Sequence, residues 1–334
     1  EEANKMRGDE EEGGKGGDDG EGGGGGTLER QRGLISAFDV CLPSDSSVTG
    51  CSHLKKPPYD VGFNSQEPPR RDDGDSARRV TLTIRHRSVT VEPIKSELFR
   101  LMGAAVWPAA LATIQLISSN SNLISSNLQS TAARGGRLLE LGSGHGLAGL
   151  AIACLPGWKR VILTDKDTRL VELIAENCRV NEGRLPLNLA GNLKALHCVW
   201  SHPASEDNLL SESENEGFDI ILAAACTYSS CIVDALFGTV RKLLSSDGTA
   251  IIVHQSRDQQ SLFTGVSLRK TLKEKPQGYF RGSKRSEHMQ PADIAAAAVR
   301  NGLSVVSSEV MVEEEGGEGR DWQAGIYVIQ LERA

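Results

Sequence analysis

The chain has 334 residues and a formal net charge of −7, of which −6 belongs to residues 1–26. This segment holds eleven glycines, nine acids and three bases, so it cannot bury enough apolar surface to offset chain entropy and is predicted to be disordered. The near-neutral remainder gives no indication of nucleic-acid binding, and no apolar run is long enough to span a membrane. Seven cysteines without a C-x-x-C pair indicate neither a disulfide framework nor a metal site, which favours a reducing location, cytoplasmic or nuclear.

Residues 27–99 are predicted to form an extension before the main domain, which we place at residues 100–334. Prolines interrupt much of the extension, but Leu34 to Val40 could form a short strand. Arg79 to Val91 alternates apolar and polar residues and is interpreted as a hairpin-like pair of strands. Trp107 then precedes a proline at the predicted start of a helix, where it lines either a ligand cleft or the core.

The main domain is organised around Arg137 to Leu150, with the sequence RLLELGSGHGLAGL. The pattern predicts a short buried strand, then a turn containing Gly142, Gly144 and Gly146, then a helix. Residues without Cβ let the backbone pass close to a ligand and adopt positive φ. The stretch is therefore typical of a nucleotide-type site.

Two residues of this stretch argue against NAD as the ligand. Leu147 stands where the dinucleotide fingerprint G-x-G-x-x-G has its third glycine. Glu140, just before the turn, would repel a pyrophosphate but suits a ligand with an ammonium or sulfonium charge. The pattern E-x-G-x-G-x-G resembles motif I of the seven-stranded S-adenosylmethionine-dependent methyltransferases. That resemblance implies that Glu140 and the glycine backbone hold the amino-acid end of S-adenosylmethionine.

The elements that follow alternate strands with helices, which is typical of an α/β domain with a mostly parallel sheet. Asp165 ends the second strand, 23 residues after Gly142, where Rossmann-like sites place an acid that binds ribose hydroxyls. Trp200 follows the third strand and either stacks on the adenine or covers the sheet edge. Strands are predicted at 160–164, 194–199, 218–224 and 249–254, helices at 168–181, 233–244 and 291–301, and a terminal hairpin at 303–312 and 325–331.

The fourth strand delivers the sequence ACTY at 225–228 to the carboxyl edge of the sheet, where ligands bind in open α/β folds. With the W-P-A-A segment at Trp107 and E-N-x-x-x-N at the end of the helix 168–181, this region resembles the protein-lysine methyltransferases called methyltransferase family 16. The resemblance implies a Rossmann-like seven-stranded sheet with an antiparallel last strand, S-adenosylmethionine as cofactor and a protein substrate. It also implies that Trp107 and Ala224 lie at the cofactor and that Tyr228 and Arg257 face the substrate.

The chain departs from that family at Ala225, where the D-x-x-Y pattern has an acid near the target amine. Three alternatives follow. The target is a lysine and another residue supplies the acid, or the target is a less basic nitrogen. In the third, the protein catalyses no transfer and the fold serves as a binding module. A small-molecule methyltransferase shares the cofactor features. Cys226 and His254 are interpreted as structural residues rather than as a nucleophile and a base.

Residues 269–287 are a basic segment in an otherwise near-neutral domain, with seven bases and two acids. Such a segment is either an ordinary solvated loop or a docking surface for an acidic partner.

Overall fold

A computed structural model describes residues 34–42, 78–86, 102–118, 123–255, 289–315 and 323–334, except for the side chains of 34, 102, 312–315 and 323–324. The predictions for the tail at 1–26, for Arg257 and for the basic segment at 269–287 lie outside the described residues.

Seven strands form one sheet, and five of them are parallel neighbours as predicted. The strands are β3 (Arg137–Leu141), β4 (Arg160–Asp165), β5 (Leu193–His197), β6 (Phe218–Ala224), β7 (Leu244–Gln255), β8 (Leu303–Glu315) and β9 (Gln323–Arg333). Their order in the sheet is β5-β4-β3-β6-β7-β9-β8. Strand β9 runs antiparallel to both β7 and β8, which confirms the predicted antiparallel insertion of the last strand.

Both faces of this sheet are covered, which explains why its central strands are almost continuously apolar. Side chains alternate along a strand, so Leu138 belongs to one buried cluster and Leu139 to the other. The helices are α1 (Pro108–Ser118), α2 (Leu123–Ala133), α3 (Leu147–Ala153), α4 (Thr168–Asn181), α5 (Pro203–Glu212), α6 (Ser230–Leu243) and α7 (Pro291–Arg300). Residues of α1 to α4 contribute to the first cluster, and residues of α5 to α7 to the second.

A second, two-stranded antiparallel sheet precedes the main one in sequence. It confirms the predicted N-terminal pair of strands but corrects which stretches form the pair. Strand β1 (Leu34–Leu42) pairs antiparallel with β2 (Arg78–His86), so the partner of the 79–86 stretch is the distant 34–42 stretch rather than 87–91, which lies outside the described residues. Val80, Leu82 and Ile84 are buried in the same cluster as α1 and α3. Their alternation revealed a strand but could not show which strand pairs with it.

Helix α4 holds this small sheet through two asparagines. Asn181 exchanges hydrogen bonds with the backbone N–H and C=O of Thr83 (2.8 and 2.7 Å). Asn177 does the same with Arg85 (2.8 and 3.0 Å). Residues two apart on a strand are about 6.6 Å apart, close to the ~6 Å rise over four helical residues. Because these two distances are similar, asparagines four residues apart on α4 can bond backbone groups two residues apart on β2.

None of the helices in the described parts of the chain is both long enough and apolar enough to cross a membrane.

Candidate cofactor and acceptor site

The candidate site lies where the strand order reverses. From β3 the chain adds β4 and β5 on one side and then β6 and β7 on the other. The loops after β3 and β6 therefore diverge and leave a crevice at the carboxyl ends of these strands, which is where open α/β sheets bind ligands. The loop after β6 nevertheless contacts the end of β3, because Sγ of Cys226 lies 3.2 Å from the Leu141 carbonyl oxygen.

The glycine turn after β3 has the backbone conformation that its sequence requires. Gly142, Gly144 and Gly146 have φ of 68°, 60° and 84°, in the left-handed region that glycine adopts without a steric cost. Ser143 fixes the turn to β4, since its N–H donates to the Thr164 carbonyl (2.7 Å) and its Oγ accepts from the Thr164 N–H (3.0 Å). The turn thus has one defined geometry before α3 begins.

His145 belongs to this turn, although sequence reasoning gave it no role. Its Nδ1 accepts a hydrogen bond from the Leu147 N–H (3.1 Å). Burial, and secondarily the nearby His86, lowers the pKa of His145 to about 4, so the ring is neutral near pH 7. The buried imidazole therefore stabilises the turn through its hydrogen bond to the Leu147 N–H.

Glu140 lies beneath the first turn of α3. Its Oε2 accepts from the Gly149 N–H (3.0 Å), and the residue is only 2% exposed. Burial raises the pKa of this carboxyl to about 8, with hydrogen bonds from Ser143 and Gly149 opposing the shift. The side chain therefore satisfies one backbone donor at the start of the helix, and its contact with the cofactor remains a prediction.

The same carboxyl occupies the space that a side chain at residue 149 would need. A Cβ there would lie 2.3 Å from Leu163 Cδ2 and 2.4 Å from Glu140 Oε2. A glycine inside a helix has no advantage on propensity grounds, so the close approach of Glu140 explains it.

Asp165, the predicted ribose ligand, ends β4 beside the turn. Its Oδ2 accepts from the Gly144 N–H (3.1 Å) and its Oδ1 from the Asp167 N–H (3.0 Å). Lys166 donates to the carboxylate from its backbone as well, and an ionised carboxylate has about four acceptor positions, so Asp165 can still accept a further hydrogen bond. Burial raises the pKa of this carboxyl as well, against several backbone hydrogen bonds.

Gly103 was not predicted, yet it lies over this carboxylate and the glycine turn. A Cβ on Gly103 would lie 3.3 Å from Gly144 Cα and 3.8 Å from Asp165 Oδ2. A Cβ on Gly144 would lie 2.2 Å from the Gly103 carbonyl oxygen. Two glycines facing each other are therefore needed for the segment at 102–104 to approach the turn. A G-A-A stretch before a tryptophan gave no signal of this.

Trp107 and Trp200, the two tryptophans predicted to lie at the cofactor, are both half-buried. Trp107 precedes α1, and its carbonyl oxygen accepts from the Ala110 N–H (3.0 Å) in the first helical turn. Trp200 lies beside the glycine turn, because a Cβ on Gly142 would be 3.2 Å from its Cζ2. The position of Trp200 is compatible with the predicted stacking on an adenine, and both cofactor contacts remain predictions.

The end of β6 contains an unusual backbone conformation. Ala224 is half-buried, and Ala225 follows with φ of 59°, which is uncommon for any residue other than glycine, asparagine or aspartate. The Ala225 N–H donates to the Val253 carbonyl (2.9 Å), which ties the turn to β7. Cys226 is 5% exposed and packs in the core, consistent with its interpretation as a small buried residue.

Thr227 and His254 fix the next part of this loop. Nε2–H of His254 donates to the Met289 carbonyl (3.0 Å), which can only accept, so Nδ1 accepts from the Thr227 hydroxyl (2.8 Å). Both side chains are at most 1% exposed, and His254 is structural as interpreted. Tyr228 follows with 46% of its surface exposed, where it can meet a substrate.

The residues present fit a cationic nucleoside cofactor. Among ion pairs between described residues, none includes Glu140 or Asp165, although both carboxyls are buried beside the glycine turn. Hydroxyl donors would use the remaining acceptor positions of Asp165, and a positive charge would favour ionised Glu140. S-adenosylmethionine carries both the ribose hydroxyls and the positive charge.

Comparison with known proteins supports the same reading. A family model described as lysine methyltransferase matches residues 91–266, which is 176 of the 334 residues. The chain is 33% identical over 142 residues to a calmodulin-lysine N-methyltransferase from Arabidopsis thaliana, covering 42% of each chain.

Two further relatives extend the match. A protein-lysine N-methyltransferase EFM3 from Chaetomium thermophilum is 25% identical over 181 residues, covering 53% of this chain and 50% of the relative. An electron transfer flavoprotein beta subunit lysine methyltransferase from Danio rerio is 26% identical over 169 residues, covering 51% and 54%. The chain thus spans about half the length of the curated relatives it matches. From the family model and the seven-stranded sheet together, the chain belongs to the lysine methyltransferase family and has the fold of S-adenosylmethionine-dependent methyltransferases.

Proposed function

We propose that the protein transfers a methyl group from S-adenosylmethionine to the side-chain nitrogen of a lysine in a protein substrate. The observation that carries this proposal is the crevice between β3 and β6, where a glycine turn, two buried carboxyls and an exposed tyrosine lie at the switch point of the sheet. The names of the three relatives, all lysine methyltransferases, favour lysine over a metabolite as the acceptor.

The cofactor supplies an activated methyl group on its sulfonium sulfur. In this proposal Asp165 accepts hydrogen bonds from the ribose, Trp200 and Ala224 line the adenine side, and Trp107 lies along the cleft. The turn at Gly142 to Gly146 approaches the amino-acid end closely because its glycines have no side chains. Glu140, beneath the turn, favours the positive charge electrostatically.

At the acceptor end the main task of the protein is alignment. Holding a nucleophile about 3–3.5 Å from the carbon that it attacks removes much of the entropic barrier. Thr227, held by His254, fixes the loop that presents Tyr228, and Arg257 is predicted to face the same side. A lysine must lose its ammonium proton before it can attack, and no side chain at position 225 orients that ammonium.

The proposal is tested by incubating the purified protein with methyl-labelled S-adenosylmethionine and cell lysate, followed by mass spectrometry of the labelled material. We expect label on protein, at lysine side chains, with Asp165→Ala greatly reducing it. Label on small molecules only would identify a metabolite methyltransferase instead.

A binding module without turnover is the second candidate, and Ala225 favours it because the acid of the D-x-x-Y pattern is missing. Intact cofactor binding without transfer to any component of the lysate would support this candidate and contradict the first.

A further inference from the structure

Asn177 of α4 bonds two separate parts of the molecule at once. Its Oδ1 accepts from the Arg85 N–H (2.8 Å), and its amide group donates to the Arg85 carbonyl (3.0 Å) and to the His145 carbonyl (2.8 Å). Arg85 belongs to β2, and His145 lies between Gly144 and Gly146 of the turn. One side chain therefore connects the small N-terminal sheet to the glycine turn.

The orientation of this amide is fixed by its partners. A carboxamide has one acceptor oxygen and two N–H donors, and here one N–H group and two carbonyl groups face it. Flipping the amide would set oxygen against the two carbonyls and nitrogen against the N–H of Arg85. Asn177 is 0% exposed, so water cannot replace a lost contact at low cost.

Asn181 provides a natural comparison, one helical turn along. It is also 0% exposed and exchanges the same pair of backbone hydrogen bonds with Thr83 of β2. Among the described residues, its other hydrogen bonds are with the Asn177 carbonyl and with Arg184, and neither joins it to the turn. The two asparagines thus share the attachment of β2 and differ in the bond to His145.

We propose that Asn177 is a positioning residue for cofactor binding, and that through it the N-terminal β1–β2 sheet helps to set the geometry of the glycine turn. The His145 carbonyl is the acceptor in the turn that this amide holds. On the side of β4, the Thr164 carbonyl accepts from the Ser143 N–H and the Asp165 carboxylate accepts from the Gly144 N–H. Losing Asn177 therefore removes the hydrogen bond that holds the turn from the side of α4 and β2, and leaves the contacts from β4 and from the Ala105 backbone. This inference rests on the proposed cofactor, S-adenosylmethionine, but not on the identity of the acceptor.

The test compares Asn177→Ala with Asn181→Ala in the full chain, by calorimetric titration with S-adenosylmethionine and by thermal unfolding. Both variants lose the hydrogen bonds to β2, so both should lower Tm to a similar extent. Asn177→Ala should also weaken cofactor affinity about fivefold or more, the equivalent of one hydrogen bond, while Asn181→Ala should change it less than twofold. Hydrogen exchange at residues 142–147 should be faster only in Asn177→Ala.

Equal changes of affinity in the two variants, or unchanged exchange of the turn in Asn177→Ala, would overturn the inference. If either alanine variant does not fold, the Asn177→Ser and Asn181→Ser pair is compared in the same way. A wild type that binds the cofactor but methylates no protein contradicts the proposed function alone. A wild type that does not bind S-adenosylmethionine contradicts both.

Discussion

Glu140 has a buried carboxyl next to the glycine turn, and because burial raises the pKa of this carboxyl, the stability of the folded protein depends on pH. Its folded pKa of about 8 lies above the ordinary value of 4.5, so the folded state holds the proton more tightly than the unfolded chain between those values. The stabilisation is complete below about pH 4.5 and is lost as the pH rises through 8, with a limiting slope of about 1.4 kcal/mol per pH unit.

Replacing Glu140 by glutamine should therefore flatten the pH dependence of stability. Glutamine keeps an oxygen for the Gly149 N–H but cannot ionise. We expect the free energy of unfolding, measured with urea at pH 5, 6, 7 and 8 without ligand, to fall with pH in the wild type and to fall less in Glu140→Gln. Some slope should remain, because burial also raises the pKa of Asp165. Parallel profiles would show that Glu140 ionises normally in the folded protein.

Gly149 gives a second prediction at the residue scale. Alanine should favour the helix by about 1 kcal/mol, but its Cβ would meet Glu140 and Leu163 at 2.4 and 2.3 Å. Overpacking of this kind costs about 1–3 kcal/mol, so Gly149→Ala should lower Tm. Gly183 is the matched control, since nothing lies within 4 Å of a Cβ there, and Gly183→Ala should leave Tm unchanged or slightly raised. A stabilised Gly149→Ala protein would contradict the described packing around Glu140.

Ala225 has a left-handed backbone conformation, which glycine, asparagine and aspartate adopt more readily than alanine. At φ of 59°, aspartate and asparagine are tolerated better than alanine, so Ala225→Asp and Ala225→Asn should both keep or raise Tm. If the acceptor is lysine, the aspartate variant should methylate protein about two- to fivefold faster than the asparagine variant, as an exposed ion pair is worth up to about 1 kcal/mol. Slower transfer by Ala225→Asp would indicate a less basic acceptor, because the new charge would lack a partner.

At the scale of elements, periodicity predicted the strands of the sheet well but missed two helices. No helix is predicted for the polar stretches at 118–136 and 201–217, whereas the structure has α2 and α5 there. In α2 the buried residues include Ile124, Leu128, Thr131 and Ala132, a helical spacing in which two small or polar members weaken the apolar signal. In α5 only Glu206 and Leu209 are buried, so hydrophobicity contributes almost nothing to recognising it.

The positions of the candidate residues in the fold were predicted to the extent that they depend on local sequence. Gly142 to Gly146, Asp165 and the residues after β6 lie at strand ends, and strand ends of a parallel sheet meet at one edge whatever the details of packing. Gly103 and His145 were missed, and Asn177 was noted only as part of the E-N-x-x-x-N motif, because their roles depend on contacts across the fold. Asn177, for example, bonds residues 92 and 32 positions away.

For the whole molecule, the small sheet and the acidic tail should contribute very differently to stability. Residues 1–26 are predicted to bury nothing, so deleting them should leave Tm and cofactor affinity unchanged. Deleting residues 1–42 also removes β1, including the buried Val40 and Leu42, and should lower Tm clearly. A loss of stability from the shorter deletion would show that the tail docks on the domain.

The claim on which the other conclusions depend is that the crevice between β3 and β6 binds S-adenosylmethionine. Calorimetric titration of the wild type and of Asp165→Ala, each with S-adenosylmethionine and with NAD, tests it most directly. We predict that the wild type binds S-adenosylmethionine and not NAD, and that Asp165→Ala weakens the binding by roughly 10- to 150-fold, the equivalent of about 1.5–3 kcal/mol for hydrogen bonds to a charged group. Binding of NAD, or wild-type affinity for S-adenosylmethionine in Asp165→Ala, would contradict the assignment of this site.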